Sequence, residues 1–269
     1  MGKWWVSMKQ FNVMIGLPRS GSTVLAALLN QNPDIYVSPT SPVLGYLLRM
    51  QEGYDTIEES IANPDFQQLT NMCRSMIESA WEHKTPSCII DKHRGWGKNL
   101  PALKTVLGKN VKVIATTRDL PSVMASWLTL IKSYPYEFDK KLAQQGYANT
   151  DENRMGEMWF NMSQDAMESL CMARKTAPEG YMLEVNYDEF LAQPYEMLAK
   201  IEDHLEIRHF DGYRINSIHK LDEDNDMKAW GFPDLHKIRN KLGKTSKNPK
   251  EVLGDDLYNR FVEIEKQYV

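Results

Sequence analysis

Apolar runs and polar breaks alternate along this chain with two different periods. Phe11-Asn-Val-Met-Ile15 is a short apolar run closed by Gly16, the pattern of a buried strand. Thr23-Val-Leu-Ala-Ala-Leu-Leu29 follows with helix formers and stops near Asn30, Asn32 and Pro33. Further strands are predicted over 35–37, 88–90, 111–116 and 181–185. Helices are predicted over 42–51, over 56–81 with a break at Asn63-Pro64, from Asn99 as cap to Gly108, over 121–132 and over 194–204. Between Asp151 and Lys175, the residues Met155, Met158, Trp159, Met162, Ala166 and Leu170 recur at spacings of three and four. They predict one helix whose Met-rich stripe belongs to the core. Strands alternating with helices predict an α/β fold, a central parallel sheet flanked by helices on both faces. From about Asn216 the chain turns polar and rich in Lys, Asp and Asn, which predicts an irregular C-terminal extension with a last helix over 255–268.

Composition sets limits on this picture. A length of 269 residues suits one domain over 1–269, with its core over 11–206 and the extension over 207–269. Hydrophobic residues at 42% and charged residues at 25% are those of an ordinary globular protein, so no disulfide staples are required. A formal charge of −4 argues against broad nucleic-acid binding and leaves room for one basic cleft. Cys73, Cys88 and Cys171 are odd in number and lack CxxC spacing, so neither a disulfide framework nor a zinc site is expected. No apolar run reaches the ~18 residues of a membrane span. The start Met1-Gly-Lys-Trp-Trp-Val-Ser-Met lacks a signal-peptide core, and Val6 breaks the myristoylation pattern. A cytoplasmic location is the expectation.

The chemistry begins where the first strand meets the first helix. Gly16-x4-Gly21-Ser22-Thr23 has Walker A spacing. Glycines there let successive backbone N–H groups turn inward as an anion nest, and the helix N-terminus adds its positive end. Ser20, Ser22 and Thr23 add hydroxyls. Ser22 occupies the place of the Walker lysine, on which triphosphate chemistry relies. A cation stands three residues earlier, at Arg19.

Gly16-Leu-Pro-Arg-Ser-Gly-Ser-Thr23 resembles the 5′-phosphosulfate loop of sulfotransferases that use 3′-phosphoadenosine-5′-phosphosulfate (PAPS), a Pro-[Lys/Arg]-Ser-Gly-[Ser/Thr]-Thr core after a strand. The resemblance implies that Arg19 holds the bridging oxygen and sulfonate, while Ser20, Gly21, Ser22 and Thr23 bind the 5′-phosphate. Val24 stands where cytosolic members carry a Trp near the adenine. A second match follows the fourth predicted strand. Arg118 stands at the strand end and Ser126 lies eight residues on, so the two are expected to face one another across the helix start. An Arg and a hydroxyl so placed form a phosphate clamp, like the family's 3′-phosphate motif. The run Glu184-Val-Asn-Tyr187 before a Pro-led helix is similar to a third family segment, which implies that Tyr187 touches the adenine.

Sulfuryl transfer needs a base, cations for the leaving phosphate, and in-line positioning. Cys88-Ile-Ile-Asp91-Lys92-His93-Arg94 ends a strand expected to open onto the same crevice. His93 is the candidate base, by resemblance to the family's catalytic His, and Lys92 the assistant to the leaving group. Glu52 and Glu82 are weaker base candidates. Asp91 also reads as a Walker B carboxylate, the main support for a small-molecule kinase. A non-catalytic nucleotide-binding module is a third reading. The basic run 235–244 reads as a solvated charged face, the alternative being a loose resemblance to the family's basic Gly-containing loop that closes over the 3′-phosphate. PAPS is the expected donor and no metal is implied. The expected acceptor is an alcohol, phenol or carbohydrate hydroxyl, met by variable loops at 38–55 and 134–150 and by the tail. Trp96, Trp127, Tyr134, Tyr136 and Trp230 are candidate lining residues. No motif names the acceptor or the oligomeric state.

Overall fold

The computed structural model describes residues 9–219, 232, 235–243 and 247–268; Trp230 and Lys244 lie outside the described residues. Five strands form one sheet: β1 (Gln10–Gly16), β2 (Ile35–Val37), β3 (Cys88–Lys92), β4 (Val113–Thr117) and β5 (Met182–Asn186). Their order is β2-β3-β1-β4-β5, and every pairing is parallel. β1 is therefore central, and the chain leaves it towards opposite edges. In such sheets ligands bind beyond the carboxyl ends of the strands at this switch point.

Parallel strands covered on both faces carry apolar side chains on both sides. Phe11, Val13 and Ile15 of β1 join Ile89, Val113 and Ala115 in one core. Met14 joins Cys88, Ile90 and Ile114 in the other. The alternation follows from the two-residue period of a strand. The second core is closed by α1 (Ser22–Leu29), α10 (Tyr187–Ala192) and α11 (Pro194–Leu205). The larger first core takes α5 (Trp96–Leu107), α6 (Leu120–Ser133) and α9 (Gln164–Thr176). Helices α2 (Val43–Thr56), α3 (Glu58–Ala62) and α4 (Phe66–Ala80) bridge β2 and β3.

The structure departs from the predicted elements at identifiable places. The helix expected from the Asn99 cap starts at Trp96; Asn99 lies inside it and its Nδ2 donates to the Gly95 carbonyl at 2.8 Å. The segment 134–150, expected as a loop, contains α7 (Pro135–Gln144), begun by Pro135 at its first turn. The Met-rich helix is interrupted: α8 (Asp151–Met158) runs into a π turn, Trp159–Ser163, before α9. Its stripe is core as expected, with Met155 and Met158 buried. The last helix, α12 (Pro249–Lys266), begins at Pro249 behind an Asn248 cap and kinks at Gly254. It packs on α6, where Glu265 Oε1 accepts from the Leu120 N–H at 3.0 Å.

Asp91 is fully buried at the end of β3. Its carboxylate accepts from Ser41 Oγ at 2.5 Å and from Trp96 Nε1 at 2.7 Å. Burial pushes its pKa up to about 6 against those two bonds. The folded state thus binds this proton more tightly than the unfolded chain does. That contribution to stability is fully present below an ordinary aspartate pKa and is lost as pH rises through about 6. Asp91→Asn, which keeps the shape without the charge, is expected to gain in thermal midpoint over the parent as pH rises across this window. Melting curves at pH values on either side of it check this, and parallel curves would contradict it.

Candidate functional site

Three loops meet beyond the carboxyl ends of β1, β3 and β4. At the end of β1, a Cβ on Gly16 would lie 2.2 Å from the Thr116 carbonyl oxygen, so only glycine lets the central strand press this closely on β4. The loop then passes through left-handed backbone at Arg19 (φ 61°) and Gly21 (φ 85°). Helix α1 starts at Ser22 with no side chain capping it. Its first N–H groups therefore lack intrahelical partners and face the loop with the positive end of the helix dipole. Ser20 is turned inward: its Oγ donates to the Leu17 carbonyl at 2.6 Å and lies 2.7 Å from Thr116 Oγ1. The Ser20 hydroxyl braces the loop, and only its backbone is left for a ligand.

Arg19 gathers the remaining predicted groups. Its Nε donates to Ser126 Oγ at 3.1 Å, and its guanidinium stands 5.7 Å from the centre of the Trp127 ring. Arg118 Nη1 donates to the Arg19 carbonyl at 3.0 Å. Arg118 and Ser126, expected to face one another, both bond to Arg19: Ser126 lies two turns inside α6 while Arg118 precedes that helix. Arg118 Nε is buried without a hydrogen-bond partner. Its guanidinium stacks 4.6 Å from the centre of the Tyr187 ring. That ring in turn occupies the space beside Gly21, where a Cβ would come within 2.5 Å of Tyr187 Cδ2. Tyr187 starts α10 at the end of β5, so strands β1, β4 and β5 each contribute one layer of this stack.

From β3 come three consecutive side chains. Lys92 Nζ reaches Thr23 Oγ1 of α1 at 3.5 Å. The Gly95 N–H donates to His93 Nδ1 at 3.0 Å, so the neutral ring carries its proton on Nε2. Burial and the neighbouring Arg94 hold the His93 pKa below the ordinary histidine value. Arg94 Nη1 donates to the Met162 carbonyl in the π turn at 2.8 Å. Asp91, one residue earlier, points away into the core.

The basic run departs from the solvated face expected of it. Residues 235–239 and 241–243 line the cleft together with the loop. Asn240 accepts from the Ile218 N–H at 2.9 Å, and the Leu242 N–H donates to Ile215 at 2.8 Å. Leu235 packs into one core while Ile238 and Leu242 pack against the other, so the segment crosses the cleft from one face of the sheet to the other. Arg19 Nη1 donates to the Leu235 carbonyl at 2.5 Å. The cleft so roofed is lined by Arg19, Lys92, Arg94, Arg118, Lys237, Arg239 and Lys241, and by no carboxylate among the described residues. In a chain of formal charge −4 this concentrates positive potential in one place. Of the aromatic candidates, Trp127 lines the cleft. Trp96 lies beneath it in the core, Tyr136 is exposed, and Tyr134 is not among the lining residues. Glu52 is paired with Arg49 on the surface, and neither it nor Glu82 lines the cleft.

A profile described as "Sulfotransferase family" matches residues 13–211, well over half of the chain. The chain belongs to the sulfotransferase family. A Caenorhabditis briggsae relative named as a putative protein-tyrosine sulfotransferase is 25% identical over 201 residues, which cover 72% of this chain and 64% of that protein. The chain therefore spans less than two thirds of that relative. Among solved structures, sulfotransferase STF9 of Mycobacterium avium superposes with a TM-score of 0.56 at 14% identity, covering 97% of this chain and 76% of that one. Retinol dehydratase in a complex with retinol and PAP superposes with a TM-score of 0.50 at 12% identity, covering 96% and 80%. At these identities the likeness is one of fold. No helix among the described residues is long and apolar enough to cross a membrane.

In this sulfotransferase the contact between Gly21 and Tyr187 joins the loop to β5. Gly21→Ala adds a methyl group at a left-handed residue and drives it into the ring, a strain of about 1–3 kcal/mol. A fall in thermal midpoint of roughly 2–10 °C is expected, partly recovered when Tyr187→Ala is added. Additive losses in the double variant would deny the contact.

Proposed function

We propose that this sulfotransferase transfers a sulfuryl group from PAPS to a hydroxyl of a small-molecule or carbohydrate acceptor and releases PAP. The observation that carries this reading is the cleft: seven cationic side chains and no carboxylate among the described residues, set around an uncapped helix N-terminus. Retinol dehydratase, named in its complex with PAP, has the same fold and supports PAP as the product bound here. The buried, unpartnered Arg118 Nε fits an anion brought by the ligand.

The proposed roles are those the family resemblance implies; for its role Arg19 must leave Ser126, to which it is bonded here. The N–H groups of Ser20, Gly21, Ser22 and Thr23 cradle the 5′-phosphate, with the Ser22 and Thr23 hydroxyls beside them. Arg19 binds at the bridging oxygen, and Lys92, within reach of Thr23, stabilises charge on the leaving phosphate. Arg118 and Ser126 take the 3′-phosphate, and Tyr187, stacked on Arg118, offers its ring edge to the adenine. When bound, the donor supplies an activated sulfur: its bond to the 5′-phosphate oxygen breaks, leaving that electron pair on PAP, as the acceptor oxygen bonds to sulfur. His93 takes the acceptor proton. To do so at Nε2, the ring must release the Gly95 N–H and hold its own proton on Nδ1 instead. The strap over residues 235–243, fixed to both cores, supports reading core and extension as one domain. Buried Cys73 and Cys88, both free thiols, support a reducing, cytoplasmic setting.

Two measurements test this. Wild-type protein is expected to bind PAP without magnesium, and Arg19→Ala to lose that binding by about 100-fold or more. Equal affinity in the variant would remove Arg19 from the donor site, and stabilisation by ATP–magnesium in place of PAP would favour the kinase reading. His93→Gln can donate a hydrogen bond but cannot take a proton. Its turnover is expected to fall about 100-fold or more, with PAP affinity unchanged. The parent's kcat/KM is expected to drop on the acid side, as His93 protonates at a pKa held below the ordinary value. A Gln variant within tenfold of the parent would make His93 a donor only.

A further inference from the structure

Arg94 is the one cation at the strand ends to which the roles above assign nothing. It follows His93 at the end of β3 and lines the same cleft. Its position is fixed twice from the opposite side. Ser169 Oγ donates to the Arg94 carbonyl at 2.5 Å, and Met162 of the π turn accepts from Nη1. A π turn departs from the regular helical ladder and recurs at functional sites. Here its carbonyl holds a guanidinium.

Among the described residues Arg94 has no ion-pair partner. Asp165, the acidic group whose field it feels, is already bonded to Lys98 Nζ at 2.7 Å. Burial holds the Arg94 pKa below the ordinary arginine value. The residue itself lines the cleft. A half-buried guanidinium in this state is costly unless a ligand completes it.

The proposed donor does not account for that ligand. Lys92 reaches Thr23 on the α1 side of the cleft, towards the phosphate loop. Arg94 reaches the π turn on the opposite side, with Met162 lining the cleft there. Arg94 thus stands on the side of the cleft away from the phosphate loop, where the proposed donor assigns it no group.

We propose that Arg94 selects acceptors that carry an anionic group, a carboxylate, beside the hydroxyl to be sulfated. His93 and Arg94 both line the one cleft, so the hydroxyl and the carboxylate can belong to one small molecule. The forked guanidinium keeps one nitrogen on Met162 and offers the others to the carboxylate. The inference rests on reading the cleft as a donor and acceptor site.

The test uses three hydroxy acids, 4-hydroxyphenylacetate, 3-hydroxybutyrate and glucuronate, each beside its neutral amide. Binding to PAP-saturated protein is measured by calorimetry, and initial rates with PAPS are measured for each compound that binds. At least one acid is expected to exceed its amide by about tenfold or more in affinity or kcat/KM. Arg94→Met is expected to bring acid and amide within twofold of each other, with PAP affinity unchanged. Arg94→Lys, which keeps the charge but not the fork, is expected to retain part of the preference and serves if the Met variant fails to fold. Acids no better than their amides in the parent, or a preference that survives Arg94→Met, would overturn the proposal. Failure of the parent to bind PAP would instead defeat the donor reading. The same acid–amide comparison on protein without PAP would then still decide the role of Arg94.

Discussion

The site depends on one close approach. Because Gly16 has no side chain, β1 ends against the Thr116 carbonyl of β4. From that contact the loop turns with Arg19 in left-handed backbone, and the Arg19 carbonyl and guanidinium become the points to which Arg118, Ser126 and the Leu235 carbonyl attach. A side chain at Gly16 would push the loop outward and move every group that hangs on it. The anion-binding chemistry proposed here is thus a product of backbone packing before it is a product of charge.

Much of this was legible in the sequence because it is local. The strand–loop–helix pattern around Gly16 to Thr23 fixes its own geometry, since apolar period, glycine spacing and helix formers all lie within one short stretch. The alternation of strands and helices likewise implied the parallel sheet, which the structure bears out in five strands. What stayed hidden depends on distant partners. That Ser20 turns inward follows from Thr116 Oγ1, 96 positions away in the chain. That Asp91 is a core residue and not a cleft carboxylate follows from Ser41 and Trp96, neither of which the strand pattern around it announces. The interruption of the Met-rich helix by a π turn changes no apolar spacing that a periodicity reading would notice.

Electrostatics divided in the same way. The chain as a whole is acidic, and only the fold collects seven cations into a single cleft. Three of them come from the strap over 235–243, whose basic residues alternate with the apolar Leu235, Ile238 and Leu242. That alternation is the signal that could have separated a roof from a solvated face: the apolar members anchor the segment to the two cores while the basic ones line the space between.

The bond from Leu120 to Glu265 carries a consequence for the far end of the chain. Helix α6 holds Ser126 and Trp127, and its first turn is satisfied by a carboxylate from the final turns of α12. The final turns of α12 are in this way wired into the wall of the cleft. Unwinding them would loosen the footing of Ser126, although Glu265 is not among the residues that line the cleft.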